Sequence, residues 1–111
     1  MATAKFIHDG DSIDYTPGSN VAAGDVVVQG DLVGVAKRDI VANTLGALAV
    51  TGVFDVPKAT GAGTAIASGA KVYWNATAQQ ATTTASGNKY LGKTVKVAVD
   101  GDATVRVRLE Q

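Results

Sequence analysis

Few residues of this chain could do chemistry, and only one group of them matches a catalytic pattern. Gly87-Asn88-Lys89-Tyr90-Leu91-Gly92-Lys93-Thr94 fits G-x-x-x-x-G-K-[ST], the phosphate-binding loop. That loop works where it follows a buried strand and opens a helix, whose N-terminal amides and lysine hold the phosphates. Here the preceding Ala81-Thr82-Thr83-Thr84-Ala85 is polar, and the residues after Thr94 alternate as a β-branched strand. The short remainder lacks the further strands and magnesium-binding carboxylate of a nucleotide hydrolase. The string is expected to be a strand and its turn, not a nucleotide site. Nucleotide binding lost on Lys93→Ala would restore the rival reading, a nucleotide-dependent recombinase.

The remaining candidates are weaker still. Asp9-Gly10-Asp11 and Asp100-Gly101-Asp102 suggest calcium, but neither continues into the ligand series ending in Glu that such a loop needs. Aspartate and glycine are ordinary turn residues. His8 is the single histidine, which excludes two-histidine metal sites and leaves a triad one possible base, without a nucleophile elbow. Cysteine is absent, and with it disulfides, thiolate metal sites and cysteine nucleophiles. Asn75-Ala76-Thr77 is a glycosylation sequon, expected to be a plain loop. Trp74 is expected in the core, with an interface role as the sharper alternative. No catalytic, cofactor-binding or metal-binding constellation emerges, and the expected protein is not an enzyme.

The elements that carry these residues are short. In 111 residues, Gly, Ala, Val and Thr dominate, and aromatic residues make up 5%. Val and Thr suit a pleated surface, and glycines suit tight turns. No stretch has a helical stripe, and turn clusters recur between short apolar runs. The expectation is all-β: a small single-domain barrel or β-tulip-like fold of antiparallel hairpins. Residues 1–8 are expected to form an extended N-terminal arm, in which Lys5 to Ile7 can pair as a short strand, and residues 9–111 the β domain.

Strands are expected at Ser12–Tyr15, Asp25–Gln29 and Leu32–Ala36, and the valine run of the second suggests burial on both faces. Further strands are expected at Ala47–Val50, the Val53 to Pro57 run, Lys71–Trp74 and Gln80–Thr84. Lys93–Val99 and Thr104–Leu109 both alternate with period two, implying a hairpin closed by Asp100-Gly101-Asp102. Around Gly52-Val53-Phe54-Asp55-Val56-Pro57-Lys58 lie two versions of one pattern. Val21-Ala22-Ala23-Gly24-Asp25-Val26-Val27 leads to Leu32-Val33-Gly34-Val35, and Ile66-Ala67-Ser68-Gly69-Ala70-Lys71-Val72 leads to Tyr90-Leu91-Gly92-Lys93. This reads as two related hairpin units around a central strand, too few for a solenoid.

Ten basic and ten acidic residues cancel. Nothing in that balance favours a nucleic-acid or membrane partner, and no apolar run reaches the length of a membrane span. A compact, neutral β domain with a loose arm suits binding a surface better than chemistry.

Phe6-Ile7-His8-Asp9-Gly10-Asp11, the Val21–Val27 run, Gly52-Val53-Phe54-Asp55-Val56-Pro57-Lys58, Gly69-Ala70-Lys71-Val72-Tyr73-Trp74 and Ala103–Leu109 occur in this order. Together they resemble the small tailed-phage proteins grouped as the DUF2190 family, regarded as capsid cement or decoration proteins. The resemblance covers nearly the whole chain. It implies a non-enzymatic virion protein, assembled in the host cytoplasm, that docks on the outside of the expanded head and stabilises it. Its partner would be the major capsid protein. By analogy with lambda-type head decoration proteins it would sit as a homotrimer at three-fold and quasi-three-fold positions. The capsid-facing contact is expected in the arm: Ala2, Thr3, Ala4, Lys5, Phe6, Ile7 and His8. An alternative from another class is a biotinyl- or lipoyl-like carrier or swivel module, whose glycine-aspartate cadence Val21 to Leu32 shares. Such modules present a lysine on a tight hairpin tip, and no such tip is evident: Lys37 is followed by Arg38-Asp39.

Overall fold

Strand-forming residues and turn glycines alternate along the chain, and the computed structural model, which describes residues 3–111, places strands at most of the apolar runs. The described residues contain nine strands and no helix. The first four are β1 (Ser12–Tyr15), β2 (Val26–Gln29), β3 (Leu32–Val35) and β4 (Gly46–Ala49). They form one antiparallel sheet in the order β1-β4-β3-β2. The others are β5 (Val53–Pro57), β6 (Lys71–Asn75), β7 (Gln80–Thr82), β8 (Lys89–Thr94) and β9 (Thr104–Leu109). They form a second antiparallel sheet, β5-β9-β8-β6-β7. Neither sheet closes into the expected barrel. A single parallel bridge, Lys58 to Ala81, draws β7 toward β5 without completing a ladder.

The two sheets are one design used twice. Val21 and Ile40 exchange backbone hydrogen bonds of 2.9 and 2.8 Å, and Ile66 and Ala98 exchange the same pair at 2.8 and 2.9 Å. Gly24 N–H donates to the Ala36 carbonyl as Gly69 N–H does to that of Thr94, and both glycines have positive φ. Val50 N–H donates to Asp11 as Leu109 N–H does to Gly52. The registers agree as well: Val26 faces Val35 and Val27 faces Gly34, while Lys71 faces Lys93 and Val72 faces Gly92. Strand β5 is therefore not a central strand between two units. It is the first strand of the second unit and the counterpart of β1. Pro57 is tolerated because β5 lies at the sheet edge, paired only with β9. The second unit differs in an excursion, β7, where the first has the two-residue turn Gly30-Asp31, and in a longer link from β5 to the Ile66 bridge than from β1 to Val21.

The larger core lies between the sheets. Val33 and Val35 of β3 join Val56, Val72, Trp74, Leu91, Val105, Val107 and Leu109 in one buried cluster. A smaller cluster of Ala36, Ile40 and Leu48 fills the first unit alone. Gln111 links the units: its Oε1 accepts from Val33 N–H at 2.8 Å, and its Nε2 donates to the Tyr90 and Leu91 carbonyls at 2.9 and 3.0 Å.

Three sequence expectations need correction. Strand β2 is an edge strand in which Val26 and Val27 are only half buried and Val28 is exposed, because it pairs with β3 alone. Strand β8 ends at Thr94. Beyond Val95, whose N–H donates to Arg106, the chain leaves the ladder so that Ala98 can bridge Ile66. Lys5 to Ile7 forms no strand.

Candidate functional site

The arm has its own local order. His8 Nδ1 accepts a 2.9 Å hydrogen bond from Gly10 N–H, and Gly10 sits at φ 81°, a turn conformation that suits glycine. Asp11 then anchors the chain: its carbonyl accepts from Val50 N–H, and its carboxylate from the Thr51 hydroxyl at 3.3 Å. Of the expected contact residues, Ala2 lies outside the described residues, and Thr3, Ala4, Lys5, Phe6, Ile7 and His8 are all exposed, without secondary structure. Phe6 is 79% and Ile7 72% exposed, more than any other large hydrophobic described. Two adjacent, bare apolar side chains on a neutral domain form a surface suited to burial against a partner.

The arm runs directly into β1, whose Ser12 and Asp14 line a groove of about 540 Å³ shared with Ala47, Arg38, Val41 and Leu45. The duplication explains why the groove exists. Asp14 faces Ala47 across β1 and β4, and the matching pair in the second unit is Asp55 and Arg106. There the arginine lies over the sheet and binds its aspartate through two hydrogen bonds, 2.9 and 3.2 Å. Those bonds hold the Asp55 carboxyl below its usual range and raise the Arg106 guanidinium. Alanine at position 47 leaves the equivalent space open and Asp14 without an ion pair among the described residues. Sequence reasoning missed this groove. Its signal was the small Gly46-Ala47 step where the other unit carries large residues.

The phosphate-loop string lies mostly in β8. Lys93 points out toward Glu110, 3.8 Å away. The buried Thr94 hydroxyl donates to the Ala67 carbonyl at 2.6 Å and accepts from Ala70 N–H at 2.9 Å. Both groups serve the sheet, with no helix N-terminus beside them. The acidic turns are equally local: Asp100 Oδ1 accepts from Thr64 and Ala65 N–H, and Asp102 from Val99 N–H. No group of three or more His, Cys, Asp or Glu gathers among the described residues. The sequon Asn75 caps its own turn by accepting from Thr77 and Ala78 N–H. Trp74 is 3% exposed, which makes it a core residue. Lys37 follows Ala36 in an exposed bend, not on a hairpin tip. No helix of the described residues is long and apolar enough to cross a membrane.

No curated protein and no solved structure matches the chain. A family model described as phage cement protein matches residues 7–109, from the middle of the arm to the last strand. With an all-β fold, an exposed apolar arm and functional groups committed to structure, the chain belongs to the phage cement protein family, which decorates and stabilises the capsid.

Proposed function

We propose that the chain comprises a docking arm, residues 1–8, and a β domain, residues 9–111, and that it cements the outer surface of the expanded head. Ala2 to His8 make the contact with the major capsid protein, with Phe6 and Ile7 as its apolar anchors. One observation carries this reading: among the described residues, the two most exposed large hydrophobics are neighbours on a strandless segment ahead of an edge strand. A segment of that kind can add to an exposed edge of the shell protein, with main-chain hydrogen bonds for affinity and pockets for alternate side chains. A ligand that binds only the expanded lattice stabilises it by mass action against internal pressure. The chain works without catalysis, is assembled onto heads in the host cytoplasm, and sits as a homotrimer at three-fold and quasi-three-fold positions. The analogy with lambda-type head decoration proteins supports the trimer.

The test is co-sedimentation with expanded and unexpanded heads of its own phage. Saturable binding to expanded heads alone is expected, reduced at least about tenfold when Phe6 and Ile7 are both replaced by serine. Equal binding of that variant would remove the arm from the contact. Analytical ultracentrifugation of the free protein, with mass measurement of bound copies, tests the trimer.

A further inference from the structure

Lys58, the residue after β5, is the one charged side chain of the described residues that is buried, with 4% of its surface exposed. Its Nζ donates to the Ala59 carbonyl at 2.8 Å and to the Thr64 hydroxyl at 3.4 Å. An ammonium has three N–H donors, so one lacks a partner among these hydrogen bonds. None of the ion pairs among the described residues includes Lys58. A buried cation without a counter-charge is costly unless an anion or further acceptors complete it.

Lys58 also lines a cavity of about 210 Å³, together with Gly63, Thr64, Thr82, Thr83 and Thr84, among other residues, none of them acidic. Asp100, which closes the same loop, directs its Oδ1 to the Thr64 and Ala65 amides. The duplication adds a second argument. Stepping from Asp11 to Gly52, the matched starts of the two units, places Pro17 as the counterpart of Lys58. The lysine and the threonines that follow β7 thus belong only to the unit carrying the extra strand, so the common fold does not require them.

We infer that this cavity is an anion site, taking one carboxylate or a similarly small oxyanion on the Lys58 ammonium with threonine hydroxyls around it. The anion comes either free from solution or as an acidic side chain of the shell; the second source rests on the capsid-binding reading above.

Acetate and inorganic phosphate are titrated into the full-length protein at constant ionic strength, followed by amide shifts of Thr64 and Thr82 to Thr84. Saturable shifts are expected, weakened about tenfold or more in Lys58→Met. Because removing a buried ammonium can disturb the fold, Thr83→Val is measured alongside, since the Thr83 hydroxyl makes no hydrogen bond among those described. It should weaken binding while leaving Trp74 emission unchanged. Non-saturable shifts, or equal affinity in both variants, would overturn the site. In a second arm, acetate competes against binding to expanded heads. Competition lost in Lys58→Met assigns the carboxylate to the shell, and its absence assigns the site to a free anion. Neither result alters the arm's role, which the Phe6 and Ile7 variant reads separately.

Discussion

Gly92 and Gly34 occupy matched places in the two units, and both are glycine for lack of room. A Cβ at Gly92 would run into the Arg108 carbonyl, and one at Gly34 would come within 2.9 Å of the Leu48 Cβ. Gly92→Ala is expected to destabilise by about 3 kcal/mol or more, because backbone must move. Gly34→Ala should cost about 1–3 kcal/mol, because the overlap is milder, although the Leu48 Cβ can yield only with its own backbone. Urea titration followed by Trp74 emission would check that order. The same string offers a sharper contrast. Lys93→Ala should leave stability nearly unchanged, since its partner Glu110 is 3.8 Å away and the lysine is half exposed. Thr94→Val should cost about 1–3 kcal/mol, because it removes the buried hydroxyl that the half-buried Ala70 N–H and the Ala67 carbonyl use. A phosphate loop would make both residues matter to nucleotide binding and neither to folding. Nearby, Tyr90 donates to Glu110 Oε2 at 3.1 Å and stacks edge-on against Tyr73. Burial first, then this carboxylate, raises the phenol above its usual 10.0. Its contribution to stability is present below pH 10.0 and lost as pH rises through the higher folded value. Tyr90→Phe should flatten that alkaline decline in a denaturation series. An unchanged slope would show that the phenol titrates normally.

Elements were most legible where period-two alternation and the ladder coincide. Thr104 to Leu109 alternates exposed and buried along its whole length, as its pattern predicts. Lys93 to Val99 alternates just as cleanly and yet leaves the ladder, so Val95, Val97 and Val99 face solvent while Ala98 is buried. Periodicity records which residues suit a pleat but not which neighbour claims the chain, and here Ile66 claims Ala98 through two backbone hydrogen bonds. This exchange can be tested. Val97→Thr should change stability by no more than about 0.5 kcal/mol. Ala98→Leu should cost about 1–3 kcal/mol through overpacking. A regular hairpin would reverse the ranking. Strand β2 misled for a related reason: short valine runs look alike at a sheet's centre and edge, and only pairing partners distinguish them. The groove beside β1 was not legible. That groove depends on Ala47 standing where the second unit has Arg106, and this correspondence becomes visible only once the registers are known.

At the scale of the whole molecule, duplication raises the question of whether each unit folds alone. The first unit's private core holds only three buried residues, Ala36, Ile40 and Leu48. Its best apolar residues, Val33 and Val35, are committed to the shared cluster with Leu91, Val107 and Leu109. A unit of about 50 residues buries too small a share of its surface to stand without support. Gln111 reinforces the dependence, because one side chain satisfies Val33 N–H in the first unit and two carbonyls of β8 in the second. The chain should therefore unfold in a single step despite its two-part design. In a urea series, Trp74 emission, which reports on the second unit, should give the same midpoint as amide protection of β2 and β3. Gln111→Ala should lower both midpoints together, for a stability loss of about 1–2 kcal/mol. A peptide of residues 1–51 should show no protected amides, because Val33 and Val35 would face water. Two separate midpoints, or protection in the isolated first half, would mean that the smaller cluster suffices. The shared core would then be a docking contact between two independent units and not the basis of one fold. A single transition suits a protein that must hold its shape under load, since neither half can open while the other remains closed.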